Sequence, residues 1–188
     1  MKKVLIAFFA VFCVLFGAFT AAGQSLSYDV TGVVDMPMGD LADFAGTGFG
    51  VGADVFFWSP PSMPDLQVGG RAAFNYFTED LGTVTTIELV PTVRYNMPAQ
   101  GNIRFFGQAG MGFFVVGSKY EYETYDFSSY PFSTVTKEES DSETKFGLTF
   151  GGGAIITLSG GRELVVMPLF NIVEDANYLG LNVGLVLQ

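Results

Sequence analysis

The sequence predicts an all-β fold, a closed, antiparallel, up-and-down β-barrel of about eight strands. Apolar and polar residues alternate with a period of two over eight separate stretches, which is the pattern of strands with two different faces. Short connections alternate with more variable ones, as they do in barrels built from successive hairpins. Glycine falls mostly on the polar side of the alternation, as the crowded interior of a narrow barrel requires.

The predicted strands follow each other without a helix-period segment between them. Their ranges are 26–34, 48–58, 66–77, 84–96, 103–116, 144–157, 163–172 and 178–187. The connections after the second, fourth and sixth strands are short and contain Pro and Gly, as tight turns do. Pro91 and Pro168 lie inside predicted strands. Because proline cannot donate a ladder hydrogen bond, we expect bulges or local kinks at both positions.

The glycines indicate which face of each strand points inward. The glycines that alternate in step with the polar residues of their strands, which we call the polar parity, are Gly48, Gly50, Gly52, Gly69, Gly110, Gly112, Gly147, Gly151, Gly153, Gly180 and Gly184. An eight-stranded barrel is just wide enough for side chains to fill it, so large polar residues inside it need small neighbours. The apolar face then points outward. Aromatic residues near the strand ends and aliphatic residues such as Val51 and Leu89 in the middle are typical of a transmembrane barrel.

The N-terminal segment 1–23 is predicted to be a signal peptide, which leaves residues 24–188 as the barrel domain. Lys2 and Lys3 precede an apolar run over 4–17, and small residues end the segment. The run is shorter than the roughly 20 residues that a membrane-spanning helix needs. The alternative is a retained N-terminal helix.

Composition excludes several functional classes. The chain has no histidine, and its one cysteine, Cys13, lies in the predicted signal peptide. Catalysis by histidine and zinc binding through histidine or cysteine are therefore excluded. A net charge of −10 argues against binding to nucleic acid. We predict that the protein is not an enzyme, with no catalytic residues, no metal site and no cofactor.

Ionisable residues within the strands fall on the polar parity, and we predict that they form a charge network in the lumen. They are Asp54, Arg71, Glu88, Arg94, Arg104, Lys145 and Glu163. Buried charges are costly unless they are paired, so a structural network that plugs the lumen is the first interpretation. A polar pathway for a small solute is the second.

The longest predicted connection covers 117–143. Its first part alternates Tyr with Glu, which could extend the fifth strand beyond the membrane, and the rest is rich in Ser, Thr and Glu. Exposed aromatic residues favour a binding surface. The alternative is a hydrophilic loop without a partner.

The whole predicted barrel domain resembles the small eight-stranded outer-membrane β-barrel proteins, the OmpA/OmpX/OmpW-like group. The resemblance rests on the signal and barrel architecture and on three strand motifs, TGFGVGA at 47–53, ELVPTVRY at 88–95 and FGQAGMGF at 106–113. It implies a location in the outer membrane, with membrane lipid and the outer-membrane assembly machinery as partners. That machinery favours a last strand ending in an aromatic residue, whereas this chain ends in Leu187 and Gln188.

Three functions follow as expectations. The first is a plugged barrel with a structural or surface-interaction role. The second is a narrow channel or transporter for small or apolar solutes. The third is a soluble periplasmic ligand-binding barrel, because alternation alone does not say which face of a barrel is wet.

Overall fold

The structure, a computed structural model, describes residues 26–78, 82–126 and 133–187, and the side chains at 82 and 121–138 are left out of the description. The predicted signal peptide over 1–23 lies outside the described residues. The strands are β1 (Ser27–Met38), β2 (Gly48–Trp58), β3 (Leu66–Thr78), β4 (Gly82–Asn96), β5 (Ile103–Asp126), β6 (Ser133–Thr157), β7 (Glu163–Val173) and β8 (Asn177–Leu187). One short helix, α1 (Asp40–Phe44), follows β1.

The strands close into a barrel in which each pairs antiparallel with its neighbours in sequence, and β1 pairs with β8. This confirms the predicted fold class and strand number. The barrel has two different ends. The terminus end carries the start of β1, the end of β8 and the turns at 59–65, 97–102 and 158–162. The hairpin end carries α1, the long β5–β6 hairpin and the turn at 174–176.

The alternation of burial along each strand confirms the predicted faces. In β2, Phe49 and Val51 are exposed on the outside, whereas Gly52, Asp54 and Phe56 are buried. The large apolar side chains on the outer face include Val30, Val34, Phe74, Ile87, Phe105, Met111, Phe113, Phe146, Phe150, Phe170, Leu181 and Val183. Among the described residues, no helix is long and apolar enough to cross a bilayer.

Of the bulges or local kinks expected at the two prolines, the bulges are absent. The β4–β5 ladder runs from Leu89↔Phe113 to Thr92↔Gly110 with no change of register, and it only skips the pairs between them. The same holds around Pro168. The glycines opposite explain this. A Cβ on Gly110 would lie 2.5 Å from the Pro91 carbonyl oxygen, so glycine permits a close approach of the backbones. The register shift that the structure does show lies in β2, between Phe56 and Trp58.

Two elements at the hairpin end were not predicted correctly. Most of the segment 117–143 is strand, because β5 and β6 continue as a paired hairpin from Gly117↔Ser142 to Asp126↔Ser133. Residues 127–132 lie outside the described part. Helix α1 was not predicted, since five residues are too few to show a helical period. Its Leu41 is buried at the mouth of the barrel with Ala45, Phe77, Val84 and Tyr178.

Candidate functional site

The inward positions of the barrel carry a large set of polar side chains. The buried ones are Asp29, Thr31, Asp35, Asp54, Arg71, Asn75, Thr86, Glu88, Thr92, Arg94, Asn96, Gln108, Thr149, Asn171 and Asn182. The strand period of two places them there, since each lies on the parity opposite to the outward apolar band. The interior is therefore a polar core inside an apolar shell.

Arg71 of β3 is the centre of the first ion-pair group. Its Nη1 lies 2.8 Å from Asp54 Oδ2, and its Nε lies 2.9 Å from Glu88 Oε2. Asp54 faces it directly in the β2–β3 register. The third guanidinium nitrogen, Nη2, donates to Asn182 Oδ1 of β8 at 2.7 Å. One planar donor fork thus joins four strands across the lumen.

The second carboxylate oxygen of Glu88 is also occupied. Its Oε1 accepts hydrogen bonds from Tyr178 Oη at 2.7 Å and from Asn75 Nδ2 at 2.8 Å. The Thr86 hydroxyl lies within hydrogen-bond distance of both Asn75 and Tyr178. Glu88 is therefore fixed by a charged donor on one side and by neutral donors on the other.

Arg94 of β4 is the centre of the second group. Its Nη2 forms an ion pair with Asp29 Oδ2 at 2.5 Å, and its Nε donates to Gln108 Oε1 at 2.9 Å. The guanidinium lies between two rings, 4.1 Å from the centroid of Phe56 and 4.3 Å from that of Phe106. A cation over aromatic faces is stabilised by the ring quadrupoles, and more so away from water.

Gln108 joins the two groups into one network. Its Nε2 donates to Asp54 Oδ1 at 2.7 Å, while its Oε1 accepts from Arg94. A continuous chain of contacts then runs from Asp29 through Arg94, Gln108, Asp54, Arg71 and Glu88 to Tyr178. We call these seven residues the lumen network. All of them are buried, so each charge depends on its neighbours rather than on water.

A glycine provides the space for the central arginine. A Cβ on Gly52 would lie 3.1 Å from Arg71 Nη2 and 3.1 Å from the Thr31 hydroxyl oxygen. That spacing is tighter than ordinary van der Waals contact, and the guanidinium would have to move. The predicted role of inward glycines, to leave room for large polar side chains, agrees with this geometry.

Of the seven residues predicted as a lumen charge network, the structure brings four together: Asp54, Arg71, Glu88 and Arg94. The other three lie at the rims: Arg104 and Glu163 are at the starts of β5 and β7, and Lys145 is at the level where β6 leaves the barrel to form the long hairpin. Arg104 and Glu163 form a pair at the terminus end with an N–O distance of 3.6 Å. Lys145 lies at the hairpin end, with its Nζ 3.1 Å from Asp175 Oδ2.

Sequence reasoning missed three members of the lumen network, Asp29, Gln108 and Tyr178. Each of them lies an even number of positions from another inward residue of its strand. The strand period of two is therefore enough to predict that its side chain points inward. Gln108 was placed on the polar face, but only ionisable residues were counted as candidates. Tyr178 lies on the same face of its strand as Gly180 and Asn182.

Asp35 differs from the other buried carboxylates. It is fully buried and forms no ion pair with a described residue, whereas Asp29, whose oxygens likewise have no hydrogen-bond partner among the described residues, is paired with Arg94. Gly180 lies opposite it in the β1–β8 register. The described interior therefore contains a carboxyl group that the lumen network does not include. In the part of the chain that the structure describes, no group of three or more acidic side chains is arranged to hold a metal ion.

No protein-family model matches the chain, and no curated protein sequence matches it. Solved structures do match. Neisserial surface protein A (NspA) aligns with a TM-score of 0.60 at 12% identity, over 87% of this chain and 97% of that one. The outer membrane enzyme PagL aligns with a TM-score of 0.48 at 12% identity, over 87% of this chain and 99% of that one.

The attachment invasion locus protein Ail of Yersinia pestis, solved with the heparin analogue sucrose octasulfate, is also similar. It aligns with a TM-score of 0.47 at 16% identity, over 86% of this chain and 97% of that one. Identities this low establish only a shared fold, and that conclusion rests on the alignment with NspA. The chain has the fold of the eight-stranded outer-membrane β-barrels.

Proposed function

We propose that this protein is an outer-membrane barrel with a structural or surface-interaction role, and that the lumen network closes its interior. The observation that carries the proposal is the continuity of the network. It joins side chains of β1, β2, β3, β4, β5 and β8 through the interior, and the side chains of both arginines are only 1% exposed. A water-filled path would leave such groups hydrated.

Apolar layers on both sides of the lumen network support its role as a plug. Towards the terminus end, Phe106 packs with Ile155, Val165, Met167 and Leu169. Towards the hairpin end, the cluster around Leu41 fills the mouth. A solute would have to displace one of these layers as well as the ion pairs. This arrangement favours a closed barrel over a narrow channel or transporter.

The apolar character of the outer face supports the proposed location in a lipid bilayer. A soluble ligand-binding barrel turns its polar face to water, whereas here the buried polar residues are inside and the exposed apolar residues, such as Val51 and Met111, are outside. An apolar band with aromatic residues suits a bilayer. We propose membrane lipid as the surrounding medium, export by the predicted signal peptide, and insertion by the outer-membrane assembly machinery.

The β5–β6 hairpin is the candidate interaction surface. Its strands have 24 and 25 residues, whereas β7 and β8 have 11 each. The hairpin therefore extends beyond the rest of the barrel, and we propose that it faces the cell exterior. A non-enzymatic role is part of the proposal, and it rests on the sequence, which has no histidine and no catalytic cysteine.

Conductance measurement tests the proposal. Purified protein is reconstituted in planar bilayers, and insertion is checked by the different gel mobility of unboiled and boiled samples from the same vesicles. We expect no steady, reproducible conductance from inserted protein. Steady unitary currents from wild-type protein would contradict the plug and favour the channel. Release of the protein from membranes by a carbonate wash would contradict the transmembrane location.

A further inference from the structure

A cavity of about 550 Å³ lies over the hairpin end of the barrel. Its apolar base includes Leu41 of α1, Val84 of β4 and Val116 of β5. Its sides are formed by the inner faces of β5 and β6 beyond the barrel mouth and by the turn at Asp175. Ligand sites commonly have volumes of roughly 300–1,000 Å³, and this cavity lies in that range, with an apolar base and largely polar sides.

Carboxylates dominate the polar part of the lining. They are Asp40, Asp43, Asp141, Glu143 and Asp175. Lys145 is the cation in the lining, and its Nζ lies 3.1 Å from Asp175 Oδ2 and 3.5 Å from Glu143 Oε2. The other three carboxylates form no ion pair with any described residue. Among the described residues, the cavity therefore holds one ammonium group between carboxylates and has three further carboxylates without an ion pair.

Two aromatic side chains lie in the same lining. Phe44, on the last turn of α1, is 61% exposed, and Tyr120, on β5, is 41% exposed. A phenylalanine side chain so exposed on a short helix contributes little to the stability of the fold. Aromatic faces next to carboxylates are suited to an ammonium group, because the ring quadrupole attracts a cation.

We propose that this cavity binds a small amphipathic amine, a molecule with an ammonium group on an apolar or aromatic body. The ammonium would lie near Asp40, Asp43 and Asp141, and the body would contact Phe44 and the apolar base. An anion would face uncompensated carboxylates, and a neutral analogue would lose the electrostatic attraction. The inference goes beyond the proposed function, because the cavity shares no residue with the lumen network.

Three indole compounds test the charge requirement, since they share one ring system and differ in charge. Tryptamine is the cation, tryptophol is neutral and indole-3-acetate is an anion. Binding is measured by ligand-observed NMR and calorimetry on the full barrel in nanodiscs of zwitterionic lipid, with empty nanodiscs as the blank. We expect tryptamine to bind about tenfold more tightly than tryptophol, with indole-3-acetate weakest. Salt should weaken tryptamine binding because it screens exposed charges.

Variants locate the site. Asp40→Asn combined with Asp43→Asn removes two exposed carboxylates, and Phe44→Ala removes the ring. Each should weaken tryptamine binding by about fivefold, as loss of an exposed charge or cation–π contact does. The matched control is Asp65→Asn, an exposed carboxylate at the terminus end, which should leave binding unchanged. Gel mobility of unboiled samples shows that each variant is folded.

Several results would overturn the proposal. The first is the absence of saturable tryptamine binding up to about 10 mM, a concentration at which a binding free energy of only a few kcal/mol would still be detected. The second is equal affinity for tryptamine and tryptophol. The third is an equal loss of tryptamine affinity in the Asp65→Asn control. Conductance of the barrel is measured separately, so failure of this proposal and failure of the plug are distinguishable.

Discussion

Replacing Arg71 by methionine removes the central cation of the lumen network while keeping most of the volume of its side chain. The change deletes contacts to Asp54 at 2.8 Å, Glu88 at 2.9 Å and Asn182 at 2.7 Å. It leaves two buried carboxylates without their counter-ion. Breaking a buried ion pair in this way costs about 3–5 kcal/mol, which is about two to three and a half orders of magnitude in the folding equilibrium at about 1.4 kcal/mol per tenfold.

The assay is urea unfolding of the protein in lipid vesicles, followed by gel mobility and by the fluorescence of Trp58. Arg104→Met is the matched control, because its side chain is 37% exposed and its partner Glu163 lies 3.6 Å away. That variant should lose less than about 1 kcal/mol. Adding Asp54→Asn and Glu88→Gln to Arg71→Met should restore most of the stability, since no uncompensated charge then remains in that group.

Two outcomes would refute this reasoning. If Arg71→Met and Arg104→Met lose the same stability, burial does not determine the cost. If the triple variant is no more stable than Arg71→Met alone, the unpaired carboxylates are not the cause of the loss.

Three further predictions concern the two faces of the barrel, and the same unfolding assay measures each. Val51→Arg places a charge on the middle of the outward face and should cost about 2–4 kcal/mol in lipid, so a neutral result would contradict the proposal that this face lies in a bilayer. Asp35→Asn should leave the stability unchanged or raise it, because Asp35 has no hydrogen-bond partner among the described residues. Asp54→Asn should lower the stability, because it removes a charge that pairs with Arg71. An equal loss in both variants would contradict this difference between the two carboxylates. Gly52→Val should cost about 1–3 kcal/mol by overpacking against Arg71, whereas Gly107→Val should cost much less because the nearest atom to its Cβ would be 4.0 Å away.

The strands could be predicted from the sequence where each has one apolar and one polar face. The range 48–58 was predicted exactly, since Phe49 and Val51 alternate with glycines and Asp54. The Tyr–Glu alternation indicated a possible extension of β5, but the extension of β6 was not predicted, because both faces of that segment are largely polar and the alternation disappears. A run of Ser, Thr and Glu then looks like a loop.

The inward position of the site residues could be predicted, but their partners could not. Parity places Arg94 inside, yet its ion pair with Asp29 depends on how the strands are staggered when the barrel closes. A local pattern does not contain that stagger. The same limit explains why Arg104 and Lys145 were grouped with the central residues, since a sequence does not show how far along the barrel axis each strand begins.

The lumen network also has consequences for the order of folding. The Arg71 contacts with Asp54 and Glu88 join adjacent strands, and they can form within a sheet of β2, β3 and β4. The Arg94–Asp29 and Tyr178–Glu88 contacts form only when β1 and β8 come round to complete the interior. A partly assembled sheet would leave Arg94 and Glu88 without these partners. Closure should therefore be cooperative, with open forms of the sheet rarely populated.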